Sequence, residues 1–511
     1  MCIRDRLHDK IQNGLFTEEI KEQFYQIIEY FGQSPIIVRS SSLLEDSYGN
    51  AFAGKYESVF LGNQGPPDAR FEEFENAVRK VYSSAFGKDA LAYRKHRGLS
   101  LLDEQMALLV QRVSGAHHGS YFFPDSAGVG VSYNTFAWNP RMDLKAGMIR
   151  IVTGLGTRAV GRNERDYPLV AALDNPLMRP DTGIEALRTF SQKEADIINI
   201  EKSALETVPL ELMLENMPDK SRELIAVRDD SAESYLKEKG IGGRKVWLAT
   251  FENLLSKTEF PSIIRTMLKK LEDSYNYPVE IEFTLNFTDN GGFRINVLQC
   301  RPFQAKTASR ENISIPSDID KNRIIFSSTG GFMGGSVKKE LRRIIYVDPK
   351  EYSLLTIQKK YEVARIIGDI NRNSHSDLPT MLAGPGRWGT TTPSLGVPVS
   401  FADISNVCAL IELEFREADI TPELSYGSHF FHDLVEADIF YCALFANNPG
   451  RIFSTEVLEP EGKGNTLTSI NSTYTGYEKV IHVHTYSEQR PVLLADLLTQ
   501  KVLCYIKPQN T

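Results

Sequence analysis

The sequence predicts a mixed fold in which β-strands and α-helices alternate along the chain. Apolar residues recur at helical spacing within long polar stretches, and short apolar or period-two runs separate those stretches. A further observation is a pair of alternating strands on either side of a turn at Asn290-Gly291. Asn-Gly between two such runs is a strong hairpin signal. An α+β or α/β architecture is therefore expected.

The predicted elements follow one another in a regular order. Helical stretches are expected over 10–31, 67–93, 191–240 and 262–275, and strands over 35–38, 106–113, 245–250, 279–286 and 297–302. Gly-rich strands and loops are expected over 115–161. The composition becomes polar after Pro302, which is typical of a connector between domains. The expected organisation is a helical segment (1–32), a first domain (33–305), a linker (306–322) and a C-terminal α/β module (323–511).

Composition narrows the class of protein. The chain has 511 residues, of which 41% are hydrophobic and 24% charged, as in a globular protein that folds in water. Its net charge of −8 argues against a general nucleic-acid or membrane-surface binder, because such proteins need a positive field. No apolar run approaches the roughly 18 residues of a membrane span. The five cysteines form no CxxC pair, which fits a reducing compartment. A cytoplasmic location without nucleic-acid or membrane partners is expected.

The predicted hairpin carries the strongest chemical signal. Alternation places Glu280 and Glu282 on one face, and a turn centred on Asn290-Gly291 sets them opposite Arg301 and Gln299. Two carboxylates and an amide oxygen suit Mg²⁺, and a guanidinium grips phosphate oxygens. The alternative is an ordinary solvated strand face with weak cross-strand ion pairs.

A second candidate lies at the end of the first predicted strand. Arg39 is followed there by Ser40, Ser41 and Ser42, and Gly54 lies a short distance along the chain. Small residues let backbone N–H groups approach an anion, and Arg39 supplies fixed charge, so this loop is a candidate phosphate cradle. Serine-rich turns after strands are also common for purely structural reasons.

The order of these segments resembles a known family. IIVRSSSLLEDSYGNAFAGKYESVF, QMALLVQRV, GVGVSYN, TGLGTRAV and VEIEFTLNF…VLQCRPF, over about residues 33–305, are similar to the N-terminal domain of pyruvate phosphate dikinase and phosphoenolpyruvate synthase. The resemblance implies an ATP-grasp fold, in which ATP lies between two α+β lobes. It also implies ATP and Mg²⁺ as cofactors.

The resemblance assigns roles residue by residue. It implies that Arg39, with Ser40, contacts ATP phosphates and that Gly54 lies in the loop closing over them. Gln111 to Val113 fall at the strand edge that reads adenine. Arg301 binds phosphate and stabilises developing charge, and Mg²⁺ is held by Glu280, Glu282 and Gln299. Arg39 and Arg301 are thus the expected catalytic residues.

The sequence also departs from the family pattern. The glycine-lysine segment expected upstream is not present, so an incomplete N-terminus is expected. Residues 327–336 have the glycines of a phosphohistidine loop but no histidine, and His429 or His432 is only a speculative substitute. The run 382–393 is either an anion-binding loop or a tight connector. Another speculative site, a transition-metal centre, would need His429, His432, His482 and His484 to meet, which is rare for separated pairs.

Two functions remain open from the sequence. One is an ATP-dependent phosphotransferase of the dikinase type, with Mg²⁺, acting on an unidentified phosphate acceptor. The other is a regulatory protein that binds ATP without turnover. The intact Glu280, Glu282, Gln299 and Arg301 set favours the enzyme, and the missing lysine and histidine favour the sensor.

Overall fold

The structure is a computed structural model. It describes residues 3–42, 54, 56–96, 99–100, 103, 105–134, 142–160, 167–179, 183–241, 245–303, 313–333, 335–373, 378–418, 420, 422, 429–446, 450–458, 464–496 and 499–507. At positions 3–6, 96, 186, 189, 429, 432 and 436 it describes the backbone only.

Helices and strands alternate through these ranges. The α-helices are α1 (Ile3–Gln12), α2 (Glu18–Phe31), α3 (Pro67–Ser84), α4 (Lys88–His96), α5 (Thr157–Val160), α6 (Ile184–Thr189), α7 (Leu210–Glu215), α8 (Asp219–Ile225), α9 (Asp230–Glu238), α10 (Glu252–Lys257), α11 (Phe260–Tyr275), α12 (Pro349–Ser353), α13 (Ile357–Arg372), α14 (Phe401–Ile404), α15 (His429–Glu436) and α16 (Leu467–Ile470). The N-terminal strands are β1 (Ile36–Ser42), β2 (Ser58–Leu61), β3 (Met106–Arg112), β4 (Ala116–His118), β5 (Tyr121–Phe123), β6 (Ser126–Val131), β7 (Met148–Val152), β8 (Leu169–Ala172), β9 (Glu194–Asn199), β10 (Ala204–Pro209), β11 (Ala226–Arg228), β12 (Trp247–Ala249), β13 (Val279–Phe287) and β14 (Phe293–Pro302). The C-terminal strands are β15 (Ile324–Thr329), β16 (Phe332–Met333), β17 (Val337–Glu340), β18 (Arg343–Val347), β19 (Thr380–Pro385), β20 (Ala409–Leu413), β21 (Phe440–Leu444), β22 (Ile452–Phe453), β23 (Ile481–Thr485), β24 (Pro491–Asp496) and β25 (Lys501–Ile506).

The first sheet along the chain is a small antiparallel sheet in the order β2-β1-β3. One of its faces packs on α2 and α3, because Ile36 and Val38 alternate toward Ile28, Phe74 and Val78 in one buried cluster. The helix α2 begins where the Thr17 side chain accepts a hydrogen bond from the N–H of Ile20, and it ends at Gly32 with a φ of 58°. On the opposite face, Ile37 and Phe60 pack against a second apolar cluster, and Arg39 lies beside them on the same face.

A second sheet, in the order β14-β13-β6-β7-β8, carries the predicted hairpin. Helix α11 covers one of its faces, where Ile264 and Leu268 lie in the same buried cluster as Ile281 and Phe283. The sequence predicted a helical stretch over 191–240, between this sheet and α11, and the observed structure of that stretch differs. Strands β9 and β10 form an antiparallel pair there, and short helices follow. Charged and apolar residues alternate from Glu194 to Ile197, and the high charge of the whole stretch obscures this period of two.

The C-terminal part has three layers. Its central sheet, in the order β16-β21-β20-β19-β18-β23, contains four neighbouring parallel strands, β18 to β21. Ile345, Leu382 and Leu410 face the helices α13, α14 and α15, whereas Ile344 and Met381 face a five-stranded sheet in the order β17-β24-β25-β15-β22. Burial on both faces explains why these strands are apolar almost throughout.

The two parts of the chain are in direct contact. Lys88 Nζ on α4 lies 2.6 Å from Asp403 Oδ1 on α14, and the rings of Tyr93 and Phe401 are 6.4 Å apart. Val131 and Met148 from the second sheet share a buried cluster with Trp388 of the C-terminal part. The mixed α+β character predicted from the sequence is confirmed. Within the described ranges, no helix combines the length and apolarity needed to cross a bilayer.

Candidate functional site

The hairpin β13–β14 has the cross-strand pairs predicted at its acidic end. Glu280 lies opposite Arg301 and Glu282 lies opposite Gln299. The register then shifts, because Phe283 pairs with Val297 and Leu298 is left as a bulge. The turn accordingly runs over 288–292, between the paired residues Phe287 and Phe293. The prediction of the pairs is confirmed. The predicted turn centre lies half a residue later than the observed one, and the bulge at Leu298 offsets this difference at the acidic end.

The two faces of the hairpin differ sharply in chemistry. Val279, Ile281, Phe283 and Leu285 are at most 1% exposed and pack into the core. On the polar face Glu280 is itself only 1% exposed, and Arg301 donates to Glu280 Oε1 from Nε at 2.8 Å and again from Nη2. The alternative of a solvated strand face is therefore wrong at this end of the hairpin. Glu280 and Arg301 form a buried ion pair.

Arg39 reaches the other end of the polar face from the first sheet. Its Nη2 donates to Gln299 Oε1 at 2.7 Å and lies 2.8 Å from Glu282 Oε2. Arg39 points this way because it alternates with Ile36 and Val38, which face α2 and α3. One nitrogen thus joins the two oxygens that the sequence proposed as metal ligands. The side chains of Arg39 and Glu282 are 16% and 19% exposed, so solvent reaches this contact.

Strand alternation separates the serines that follow Arg39. Ser41 shares the face of Arg39, whereas Ser40 shares the face of Val38 and lies toward the helices. The side chain of Ser40 therefore lies on the other face of β1 from that of Arg39, and its predicted contact with the ATP phosphates stays a prediction. Gly54 is in the left-handed region, with a φ of 67°, and lies on the side of the first sheet that faces the C-terminal part. Most of the intervening predicted loop lies outside the described residues.

Two of the three proposed adenine-reading residues, Arg112 and Val113, border a cavity, whereas Gln111 does not. Gln111 pairs with Ile37 and shares the face of Arg39, and the N–H of Val113 donates to Pro35 O at 2.9 Å. Val113 lines a cavity of about 620 Å³ together with Ser114, Asn286 and Asn296. This cavity lies beside the part of the hairpin that is farther from Glu280. The structure thus brings the end of β3 and the hairpin together around one partly open cavity.

Sequence reasoning missed Ser114, which ties these elements to one another. Its hydroxyl lies 2.7 Å from Thr284 Oγ1, 2.9 Å from Asn296 Nδ2 and 3.1 Å from Asn286 Nδ2. Thr284 and Asn286 continue the alternation of Glu280 and Glu282, so the sequence did mark them as members of the same face. Ser114 itself carried no signal, because its partners are about 170 residues away.

Two further buried polar residues support the hairpin sheet. Arg150 on β7 is 1% exposed. It lies opposite Val129 of β6, which in turn lies opposite Glu282 of β13. Asp125 is 4% exposed and its Oδ2 accepts a hydrogen bond from the N–H of Phe287 at 2.6 Å. Burial raises the pKa of Asp125 to about 6, because the ionised carboxylate is poorly solvated there. That hydrogen bond lowers it, with a smaller effect.

The donor set fits Mg²⁺ in part. Glu282 Oε2 and Gln299 Oε1 converge on the same arginine nitrogen, and both are oxygen donors of the kind that Mg²⁺ takes. Glu280, by contrast, is engaged with Arg301. Within the described ranges no three His, Cys, Asp or Glu side chains cluster as a metal site, so a cation here would depend on two protein oxygens, water and ligand oxygens.

The Gly-rich loop after β19 lies at the junction between the two parts of the chain. Arg387 is 2% exposed and its guanidinium carbon lies 4.3 Å from the centre of the Tyr167 ring. Trp388 N donates to Glu412 Oε1 at 2.8 Å. Gly386 has a φ of 64°, and a Cβ there would lie 2.0 Å from Leu395 O. These contacts favour the tight connector over an open anion loop.

The histidine pairs do not assemble among the described side chains. His482 and His484 stack on β23 with ring centres 6.3 Å apart, and the side chains of His429 and His432 lie outside the described residues. Phosphoacceptor and metal roles for His429 or His432 therefore remain speculative.

Fold and site together define an α+β protein in which a polar strand face meets an arginine from a second sheet. Residues 3–321 match the family described as "Pyruvate phosphate dikinase, AMP/ATP-binding domain", and the chain belongs to this family. This confirms the resemblance found in the sequence. The chain is also 26% identical over 372 residues to the uncharacterized phosphotransferase YvkC of Bacillus subtilis (strain 168). That match covers 70% of this chain and 36% of the relative.

Proposed function

We propose that the chain is a Mg²⁺-dependent phosphotransferase of the dikinase type, with ATP bound between the first and second sheets in an ATP-grasp arrangement. The observation that carries this proposal is the bridge from Arg39 to Glu282 and Gln299. It joins the cation expected to hold phosphate with the oxygens expected to hold Mg²⁺. The family membership supports the nucleotide, and the printed name of the relative supports the phosphoryl chemistry.

We expect the triphosphate of ATP to replace Glu282 and Gln299 as the partner of the Arg39 guanidinium. That exchange is inexpensive, since a partly exposed ion pair contributes only about 1 kcal/mol or less. Once Arg39 binds phosphate, Glu282 and Gln299 lose a hydrogen-bond donor and their oxygens become available to Mg²⁺. When bound there, Mg²⁺ neutralises charge on the phosphates. Arg39 then stabilises the charge that develops as a phosphoryl group leaves ATP.

The proposed role of Arg301 differs from that of Arg39. Its guanidinium is committed to Glu280, and both side chains are buried. A role as phosphate ligand requires Arg301 to keep Glu280 as one partner while it turns a remaining N–H toward the ligand. We infer that the Glu280–Arg301 pair chiefly fixes the strand ends that carry Glu282 and Gln299. Direct metal ligation by Glu280 would need Arg301 to move.

Adenine is expected in the cavity beside Val113. Its walls include β3, which supplies backbone groups, and Asn286, whose Oδ1 is enclosed and accepts no hydrogen bond from the described residues. An amide oxygen in that position suits the exocyclic amine of adenine. Ser114 fixes Asn286 from the opposite side through the amide nitrogen.

The experiment is phosphorus NMR of the protein with ATP and Mg²⁺. Release of AMP indicates cleavage of the dikinase type, and release of ADP indicates an ordinary kinase or ATPase. Unchanged ATP with saturable binding would replace the enzyme by the second candidate, a nucleotide sensor. The sensor is favoured by residues 327–336, which have the glycines of a phosphohistidine loop but no histidine.

A further inference from the structure

A short segment of three residues, Gly62 to Gln64, lies between the first sheet and the sheet that contains β9 and β10. It follows β2 and precedes α3. On one side it contacts the residues that join α2 to β1, and on the other it contacts the turn between β9 and β10. The proposed function leaves this segment without a role.

Asn63 holds the chain between α2 and β1. The residue is 2% exposed, and its Nδ2 donates to the carbonyl oxygens of Gly32 and Ser34, each at 2.8 Å. Gln64 adds a hydrogen bond from its Nε2 to Gln33 O at 2.6 Å. The side chains of the segment therefore hold three successive backbone carbonyls that precede β1.

Gly62 seats the segment on the turn between β9 and β10. A Cβ at position 62 would lie 2.6 Å from Ser203 Cα and 2.7 Å from the carbonyl carbon of Ser203, which is closer than a side chain approaches backbone. Ser203 is in the left-handed region, with a φ of 52°, and its hydroxyl accepts a hydrogen bond from the N–H of Gln64 at 3.2 Å. This close approach requires a residue without a side chain at position 62.

The residues that the segment holds form part of the wall of the proposed adenine cavity. Gln33, Ser34 and Pro35 line the cavity together with Val113. The carbonyl oxygen of Pro35 also accepts the hydrogen bond from the N–H of Val113, at 2.9 Å. A shift of residues 33–35 would therefore change the shape of the cavity and the position of the Val113 backbone.

The segment lies away from the contact that is expected to bind phosphate. Leu61, next to Gly62, pairs with Ile36, whereas Arg39 pairs with Ser58 at the other end of β2. Three residues of strand separate Ile36 from Arg39, which corresponds to about 10 Å. A local change in the segment is therefore expected to affect the base of a bound nucleotide more than its triphosphate.

We propose that Gly62, Asn63 and Gln64 are positioning residues of the nucleotide site, which hold residues 33–35 in place against the base of ATP. This inference rests on the proposed binding of ATP with adenine beside Val113. The three residues act through the wall of the cavity rather than by contact with the nucleotide. A wall that is ordered before binding costs less to bind against, so loosening it lowers affinity for the base.

The test is calorimetric titration of the full chain and its variants with ATP, adenosine or tripolyphosphate, each in the presence of Mg²⁺. Asn63→Gly removes the amide and accepts the left-handed backbone of this position, where φ is 56°. We expect its affinities for ATP and adenosine to fall about tenfold and its affinity for tripolyphosphate to stay unchanged. Gly62→Ala should show the same pattern with a larger loss. Gly464→Ala is the matched control and should bind all three ligands normally, because a Cβ there meets nothing within 4 Å.

Two outcomes overturn the proposal. One is equal ATP affinity in Asn63→Gly and Gly464→Ala. The other is an equal loss of affinity for ATP and tripolyphosphate, which a purely structural role would produce. If Asn63→Gly or Gly62→Ala does not fold, Gln64→Ala at a half-buried position decides instead, with an expected loss of about threefold for ATP and adenosine only.

The unmodified chain separates this proposal from the one on which it rests. If it binds neither ATP nor tripolyphosphate, the proposed function itself fails. If it binds ATP but not tripolyphosphate, adenosine supplies the comparison. A loss of ATP affinity in Asn63→Gly without a matching loss of adenosine affinity then overturns the positioning role.

Discussion

The two ends of one polar strand face provide the most informative comparison in this molecule. Glu280 and Arg301 are buried and paired with each other across their own hairpin, with side-chain exposures of 1% and 5%. Glu282 and Gln299, two residues further along each strand, are joined instead to Arg39 from another sheet. Identical spacing in the sequence thus leads to one buried pair and one contact that is partly exposed to solvent.

Energetics explains why these two ends should differ in role. Removing one partner of a buried ion pair costs about 3–5 kcal/mol, because the other charge is left without compensation. A partly exposed pair contributes about 1 kcal/mol or less. The Arg39 end should therefore exchange partners at lower cost than the buried end. We propose on this ground that Glu280 and Arg301 act mainly in stability, and that Arg39, Glu282 and Gln299 act mainly in ligand binding.

The largest expected effect is on stability at the buried end. Glu280→Ala should lower the free energy of unfolding by about 3–5 kcal/mol, because Arg301 then stays buried without its partner. Urea unfolding measures this. Glu282→Ala serves as the comparison and should cost about 1 kcal/mol or less. Equal losses in the two variants would show that the ends do not differ.

The next effect is on turnover at the exposed end. Arg39→Ala should lower ATP turnover about 10²–10³-fold, since a charged donor to the transferring phosphoryl group is lost. Steady-state kinetics with ATP and Mg²⁺ measure it. Arg79→Ala is a matched control, because Arg79 pairs with Glu75 at similar exposure, 11% and 13%, on α3. A comparable loss in both variants would remove the special role of Arg39.

A third test concerns the far end of the hairpin and its response to pH. The pKa of Asp125 is about 6 in the folded protein and 3.8 as its ordinary value, so folding favours the protonated form. The stability it contributes is present below pH 4 and is lost as the pH rises through 6, by up to about 3 kcal/mol. Asp125→Asn removes this loss. The Tm of the variant minus that of the unmodified protein should therefore increase between pH 5 and pH 8, whereas a difference that is flat with pH would contradict the assignment.

The smallest expected effect concerns the link between β3 and the hairpin. Ser114→Ala removes hydrogen bonds to Thr284, Asn286 and Asn296 and should lower stability by about 1–2 kcal/mol. ATP affinity should fall as well, because Asn286 is no longer fixed beside the proposed adenine cavity. Calorimetry with ATP and urea unfolding measure the two quantities. A loss of stability with unchanged ATP affinity would restrict Ser114 to a structural role.

The sequence predicted the local geometry of the hairpin well. Period-two alternation and the Asn290-Gly291 turn depend on neighbouring residues only. They therefore suffice to predict that Glu280 pairs with Arg301 and Glu282 with Gln299. They do not predict the bulge at Leu298, because it has no distinct sequence signal here. Strands β9 and β10 lie in the stretch over 191–240 that the sequence predicted as helical, because its many charged residues obscure the period-two alternation.

Long-range contacts were beyond sequence reasoning. The burial of Glu280 depends on the packing of whole sheets, and Arg39 meets Gln299 across 260 residues of chain. The resemblance to the family placed Arg39 and the hairpin in one site, but it did not distinguish the two ends of the polar face.

The most direct test of the ATP site is calorimetric titration of ATP at several Mg²⁺ concentrations. Three proteins are compared: the unmodified chain, Glu282→Ala and the control Glu75→Ala. We predict that ATP affinity rises with Mg²⁺ in the unmodified chain and in Glu75→Ala, and that it no longer responds to Mg²⁺ in Glu282→Ala. An undiminished response to Mg²⁺ in folded Glu282→Ala would contradict the account.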